Sequence, residues 1–164
     1  METFDVGRLT DFDFEAVCKD LFELEFGVRL EIFTSGPDGG VDLRHMQGDD
    51  PALIVQCKHF HRSGRAKLLV HMQKAEAPKL AQLKPGRYVL ATSVELSRAA
   101  KDKLYDMLQP FVRTPSDIYG KDDIDALLRK HGQVVRHPMS LGVKRHGGGR
   151  GVTRRLLRRR WCGF

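Results

Sequence analysis

The chain is poor in cysteine, in long apolar runs and, over its last quarter, in acid. Its three cysteines (Cys18, Cys57 and Cys162) are few, odd in number and unpatterned, which argues against a disulfide framework and suits a reducing cytoplasm. No apolar stretch nears the roughly 20 residues that cross a bilayer. The opening METFDVGRLTDFDF lacks a basic segment followed by a long apolar one, so it does not read as a signal peptide. No Asp or Glu follows Asp125. The net charge of +7 is therefore unevenly held: residues 126–164 carry 11 Lys and Arg, whereas residues 1–125 carry 17 against 21 acids, a net of −4. The basic character belongs to the tail, and charge alone does not make the body a nucleic-acid binder.

What remains suits one folded domain. The 164 residues are 41% hydrophobic and 30% charged, an ordinary balance for a globular chain. Phe14, Val17, Cys18, Leu21 and Phe22 recur at the spacing of one buried helical face, predicting a helix over 13–26 that Asp11 or Asp13 caps and Gly27 ends. Three strands follow: 28–34, 41–46 and 53–60, separated by the glycine-rich turn 35–40 and a second turn at 47–51. Short turns between them predict an antiparallel meander. Residues 66–83 read as helical, divided or kinked at Pro78. Arg87–Thr92 is a short central strand, Ser97 caps a helix running to about Gln109, 111–120 form a loop or short strand, and 121–131 a last helix. From about Gly132 the periodicity stops; residues 132–164, with Gly147–Gly151 and the arginine block 154–160, read as a basic, disordered tail. The expected fold is α/β with an αβββαβ core, a central mixed sheet flanked by helices, over residues 1–131.

Side chains alternate between the faces of a strand. Val41 and Leu43 share one face in this reading, so Asp42 points the other way; Gln56 and Lys58 share a face opposite Val55 and Cys57. Paired as a meander, the two strands bring an acid beside an amide and an ammonium at one edge of the sheet. That set suits metal-assisted phosphodiester hydrolysis: an acid and a backbone carbonyl suffice for Mg²⁺, which keeps several waters, and an ammonium can orient water or offset developing charge.

At this point a resemblance becomes specific. Gly36-Pro-Asp-Gly-Gly-Val-Asp-Leu43 followed by Val55-Gln-Cys-Lys58 resembles the catalytic signature of the Mrr-like branch of the PD-(D/E)XK nuclease superfamily. Phe14-Glu15 resembles its leading motif, and Tyr88–Ser93 with the next helix its later strand and helix. The likeness runs from about Leu9 to His131. It implies a Mg²⁺- or Mn²⁺-dependent deoxyribonuclease with Asp42 as principal metal ligand, Gln56 and the Cys57 carbonyl as further ligands, Lys58 handling the water and Glu15 as auxiliary acid. It also implies DNA as substrate, a role in prokaryotic anti-phage defence, and room for a homo-oligomer. Residues 11–131 further resemble the N-terminal nuclease module of large bacterial antiviral STAND NTPases, in which an NTPase and a sensor domain follow. The chain is then either a lone nuclease or a truncated relative of such a protein.

Simpler readings stand beside these. Asp38, inside the turn, reads as structural. Glu15 could be a first-turn acid favoured by the helix dipole. Ser93 has no Gly-x-Ser-x-Gly elbow around it and reads as a hydrogen-bonding residue. Cys57, His59 and His61 fall on one strand face, too cramped for three zinc ligands; Lys58, His59 and His61 are instead candidates for contact with DNA phosphates. Gln56 is neutral where an acid is commoner, which leaves a catalytically silent DNA- or partner-binding module as the alternative function.

Overall fold

A computed structural model describes residues 5–33 and 40–136. The elements are helix α1 (Asp11–Phe26), strands β1 (Glu31–Ile32), β2 (Leu43–Gln47) and β3 (Asp50–Lys58), helix α2 (Gly64–His71), a π-helical stretch (Met72–Glu76), helix α3 (Ala77–Leu83), strand β4 (Tyr88–Thr92), helix α4 (Arg98–Leu108), strand β5 (Ile118–Tyr119), and helices α5 (Lys121–Lys130) and α6 (Gln133–Arg136). One five-stranded sheet runs in the order β1-β2-β3-β4-β5. β1, β2 and β3 pair antiparallel, as the short turns predict, and β4 and β5 add in parallel. The expected α/β architecture with a mixed central sheet is what forms.

The sheet separates two cores because its strands alternate. Leu53, Val55 and Cys57 of β3, with Val89 and Ala91 of β4, face Phe14, Val17, Cys18 and Leu21 of α1 and Ile124 and Leu127 of α5. Ile54, Tyr88 and Leu90 face the other way, onto Leu68, Met72, Leu80 and Leu104. Each fully buried Leu or Phe of this kind contributes about 1.5–3 kcal/mol of transfer free energy. Two local signals act as read, Gly27 ending α1 with φ +64° and the Ser97 hydroxyl accepting the Ala100 N–H at the start of α4. The cap of α1 does not, because the Thr10 hydroxyl accepts the Asp13 N–H and Asp11 and Asp13 lie inside the first turn instead of capping it.

Several expectations need correction. β1 is only two residues, both exposed, because the first strand is a sheet edge paired on one side. β3 starts earlier and ends at Lys58; beyond it the Phe60 N–H donates to the Lys58 carbonyl, a turn rather than a strand. Pro78 does not break the helix. It sits in the first turn of α3, where a missing N–H costs little, and the irregularity lies just before it in the π stretch. Val41 and Leu43 do not share a face: Leu43 lies in the α1 core and Val41 packs against the other. Val41 and Asp42 precede β2, after a left-handed Gly40 (φ +61°), so strand alternation does not apply to them. Part of the segment read as tail is helical, for α6 places Val134 (4% exposed) in the α1 core. The rest of the expected tail, from residue 137, and the turn containing Asp38 lie outside the described residues.

Candidate active site

The β2–β3 ladder reaches Leu43 opposite Val55 and stops there. The next position of β3 on that edge, Cys57, therefore has no partner on the β2 side, although Ala91 of β4 pairs it on the other. Its N–H donates instead to Asp42 Oδ2 at 2.7 Å, and the Gln56 side-chain amide donates to the same oxygen at 2.6 Å. Backbone N–H and C=O of one strand residue point to the same edge, so the Cys57 carbonyl is directed to the side where Asp42 sits. Its thiol goes the other way, into the core beside Cys18; that neighbour and burial push it well above the ordinary thiol range, which removes it as a nucleophile.

Asp42 thus meets Gln56 although it lies outside the strand. An ionised carboxylate accepts only, so the Gln56 NH₂ must face it and the amide carbonyl is the group left to bind anything else. Gln56 is 2% exposed. Burial raises the Asp42 carboxyl, against the Cys57 N–H and the Lys58 charge, which lower it. Lys58 ends β3 with its ammonium 3.0 Å from Glu76 Oε1, and the Thr92 hydroxyl of β4 donates to its carbonyl at 2.7 Å.

Asp42, Cys57, Lys58 and Glu76 line one cavity of about 610 Å³, which also takes in Glu15 and Asp11 from α1. Burial, Asp42 and Asp11 raise the Glu15 carboxyl to about 7, with Lys58 opposing. Of the four predicted site residues, Asp42, Lys58 and Glu15 line this cavity, whereas Gln56 is buried outside the lining and is tied to it through its bond to Asp42. His59 lines the cavity too, its ring 5.1 Å from Phe14 and stacked on it, with Nδ1 buried and unpartnered among the described residues. His61 is exposed and lies against Gly7, away from the cavity lining. Ser93 is buried, but its hydroxyl has no partner among the described residues.

Sequence reasoning missed Glu76, Lys79 and His71. Glu76 is 2% exposed at the end of the π stretch, and its Oε1 lies 3.0 Å from Lys58, 3.2 Å from Lys79 and 3.2 Å from His71. Burial alone would raise its carboxyl; Lys58 and Lys79 outweigh this and leave it below the usual carboxylate range. The signal was present: Leu68, Met72, Glu76 and Leu80 stand four apart, and all are buried, so an acid interrupts an apolar row.

The oxygen donors available are the Asp42 carboxylate, the Gln56 carbonyl and the Cys57 carbonyl. No group of three or more His, Cys, Asp or Glu side chains is placed to hold a metal among the described residues. The set is hard and sparse, which fits an ion such as Mg²⁺ that retains water and takes one or two carboxylates, and does not fit zinc.

The model of a restriction endonuclease family (Mrr_cat) matches residues 6–108. A protein of Sinorhizobium fredii (strain NBRC 101917 / NGR234), uncharacterized protein y4cD, is 41% identical over 133 residues, 81% of this chain and 20% of the relative. The chain spans about a fifth of that relative's length.

Proposed function

Because the chain belongs to the Mrr_cat restriction endonuclease family over residues 6–108, we propose that it is a divalent-metal-dependent endonuclease that hydrolyses DNA, of the type IV, Mrr-like kind, in prokaryotic antiviral defence. The observation that carries this reading is the convergence on Asp42: an amide and a strand N–H hold its carboxylate in a cavity that also contains Lys58 and Glu15.

Asp42, with the carbonyls of Gln56 and Cys57, would hold Mg²⁺ or Mn²⁺, which when bound makes water a better nucleophile and polarises a phosphodiester. The remaining roles fall to the chain. The Gln56 amide and the Cys57 N–H keep the Asp42 carboxylate in one orientation, so its second oxygen can face a ligand without reorganisation. The Lys58 ammonium has only N–H to offer, which suits orienting the attacking water and countering charge on the phosphoryl oxygens. Glu15, titrating near neutrality, can exchange a proton with that water or the leaving oxygen. Water adds to phosphorus, the P–O ester bond breaks, and the departing oxygen takes a proton.

One observation favours the alternative of a silent nuclease fold. Gln56 brings no charge and spends its NH₂ on Asp42, which weakens the cation's field. Incubating the chain with supercoiled DNA separates the two readings. Cutting that requires Mg²⁺ or Mn²⁺ and falls at least a hundredfold in Lys58→Ala and Asp42→Asn is expected; cutting undiminished in Lys58→Ala would refute the assignment, and binding without any cutting would favour the silent module. The Sinorhizobium relative is several times longer than the matched segment, and we propose that in such longer proteins an NTPase and a sensor module follow and control the nuclease.

A further inference from the structure

The two helical segments that contribute to the cavity, α1 through Asp11 and Glu15 and the 64–83 stretch through His71, Glu76 and Lys79, carry opposite charge along their lengths. α1 holds Asp11, Asp13, Glu15, Asp20, Glu23 and Glu25 against Lys19 alone. On the other side, residues 61–75 contain Arg62, Arg65, Lys67 and Lys74 and no acid, within a body whose net charge is negative. These four are exposed and form no ion pair among the described residues. Lys79 and His71 stand at the inner end of this wall. Both are 35% exposed and both rest on the buried Glu76. One carboxylate thus organises Lys58, Lys79 and His71 on this side of the cavity, opposite Asp11, Glu15 and Asp42.

His71 joins that cavity to a shallower groove on the outer surface, lined with it by Ala66, Lys67, Val70 and Lys74. Lys67 on α2 and Lys74 in the π stretch line the same groove, and seven residues of helix separate them by about 10 Å along its axis. That is about three base-pair steps of duplex DNA at about 3.4 Å each. Val70, 50% exposed, lies between them. Cations at intervals along a helix that leads directly into a nuclease cavity match a polyanion with regularly spaced charges.

We propose that the wall from Lys67 to Lys79 is the DNA-backbone-binding surface. Lys79 and His71 take a phosphate inside the cavity, and Lys67 and Lys74 take flanking phosphates along the outer groove. The identity of the polyanion rests on the DNA-cutting reading above; the surface itself rests on the charge and placement of these side chains.

The test is binding of the full chain to a labelled 20-base-pair duplex in EDTA, without cutting, followed by fluorescence anisotropy across KCl concentrations. Removing one cation from a phosphate lowers the slope of log K against log salt by about 0.9. Lys67→Ala with Lys74→Ala is expected to flatten it by about 2 and to weaken binding tenfold or more at low salt. Lys79→Ala is expected to flatten it by about 1. A control pair on α4, Arg98→Ala with Lys103→Ala, should change neither quantity. The basic tail is common to all the variants, so its contribution cancels in the differences. An unchanged slope in the stripe variants, an equal loss in the α4 control, or no DNA binding by the parent chain overturns the proposal. So does binding to phosphatidylserine vesicles that the stripe variant loses while keeping its DNA affinity. DNA binding through this wall without metal-stimulated cutting would sink the cleavage reading and leave the surface standing.

Discussion

Two carboxyls in the cavity are pulled in opposite directions, and each yields a prediction. Glu15 holds its proton more tightly in the folded chain, near 7 against an ordinary 4.5. Between those values the native state binds more protons than the unfolded one, so this residue's contribution to stability falls as pH rises through that window. Glu15→Gln is therefore expected to raise the melting temperature relative to the parent at pH 8 in EDTA, with the difference gone below pH 4.5. Equal differences at both pH values would contradict the burial of this carboxyl. Glu76 behaves oppositely, held ionised by its cations. Glu76→Gln is expected to slow single-turnover cleavage at saturating DNA about tenfold, because Lys58 loses its anchor, while costing less in DNA affinity than loss of Lys67 and Lys74. At this scale the sequence was legible for residues that sit in a spaced motif. Asp42, Gln56 and Lys58 are read from spacing and alternation, although Asp42 reaches Gln56 from outside the strand that reading assumed. Glu76 was not read, because a charge within a helical stretch is ordinarily taken as solvated and only its place between Met72 and Leu80 says otherwise.

The elements follow their local chemistry closely. The Ser97 cap, the Gly27 stop, the meander and a central β4 were predictable because each rests on nearby residues: a hydroxyl, a glycine, short turns, and a run with all five residues buried. The Thr10 cap was not, because Asp11 and Asp13 beside it are equally good acceptors by type. Ser97→Ala removes the acceptor for the Ala100 N–H and is expected to cost about 1 kcal/mol, measurable by urea denaturation. What could not be read was irregular backbone. The π stretch carries no compositional mark; its five-residue reach is set by packing around Met72 and Glu76, and such bulges gather at functional sites. Gly40 is a similar case. Its φ of +61° favours glycine, and a Cβ there would approach Lys79 Nζ to 2.9 Å. Gly40→Ala is expected to cost about 1–2 kcal/mol from backbone strain and to displace the Lys79 ammonium, lowering DNA affinity along with stability.

Across the whole molecule, distant segments are tied by a few contacts that sequence order conceals. Arg87 at the entry to β4 holds Asp117, 3% exposed, with Nη2 2.6 Å from Oδ1, while its guanidinium lies 4.7 Å from the Phe26 ring of α1. His131 and Lys130 of the C-terminal region reach Glu25. The packed chain continues to Val134, and Val134→Ala is expected to cost about 2 kcal/mol of stability; no change in the denaturation midpoint would put the end of the packed chain back at His131. Periodicity stops at Gly132 because a four-residue helix is too short to show one.

The sheet tapers to two residues at each flank, β1 and β5, around a nine-residue β3. Few main-chain groups are therefore offered for pairing with a neighbouring molecule. A sheet so blunted at its borders gives a second copy little strand to zip onto, so crowding alone does not knit such chains into a continuous ribbon.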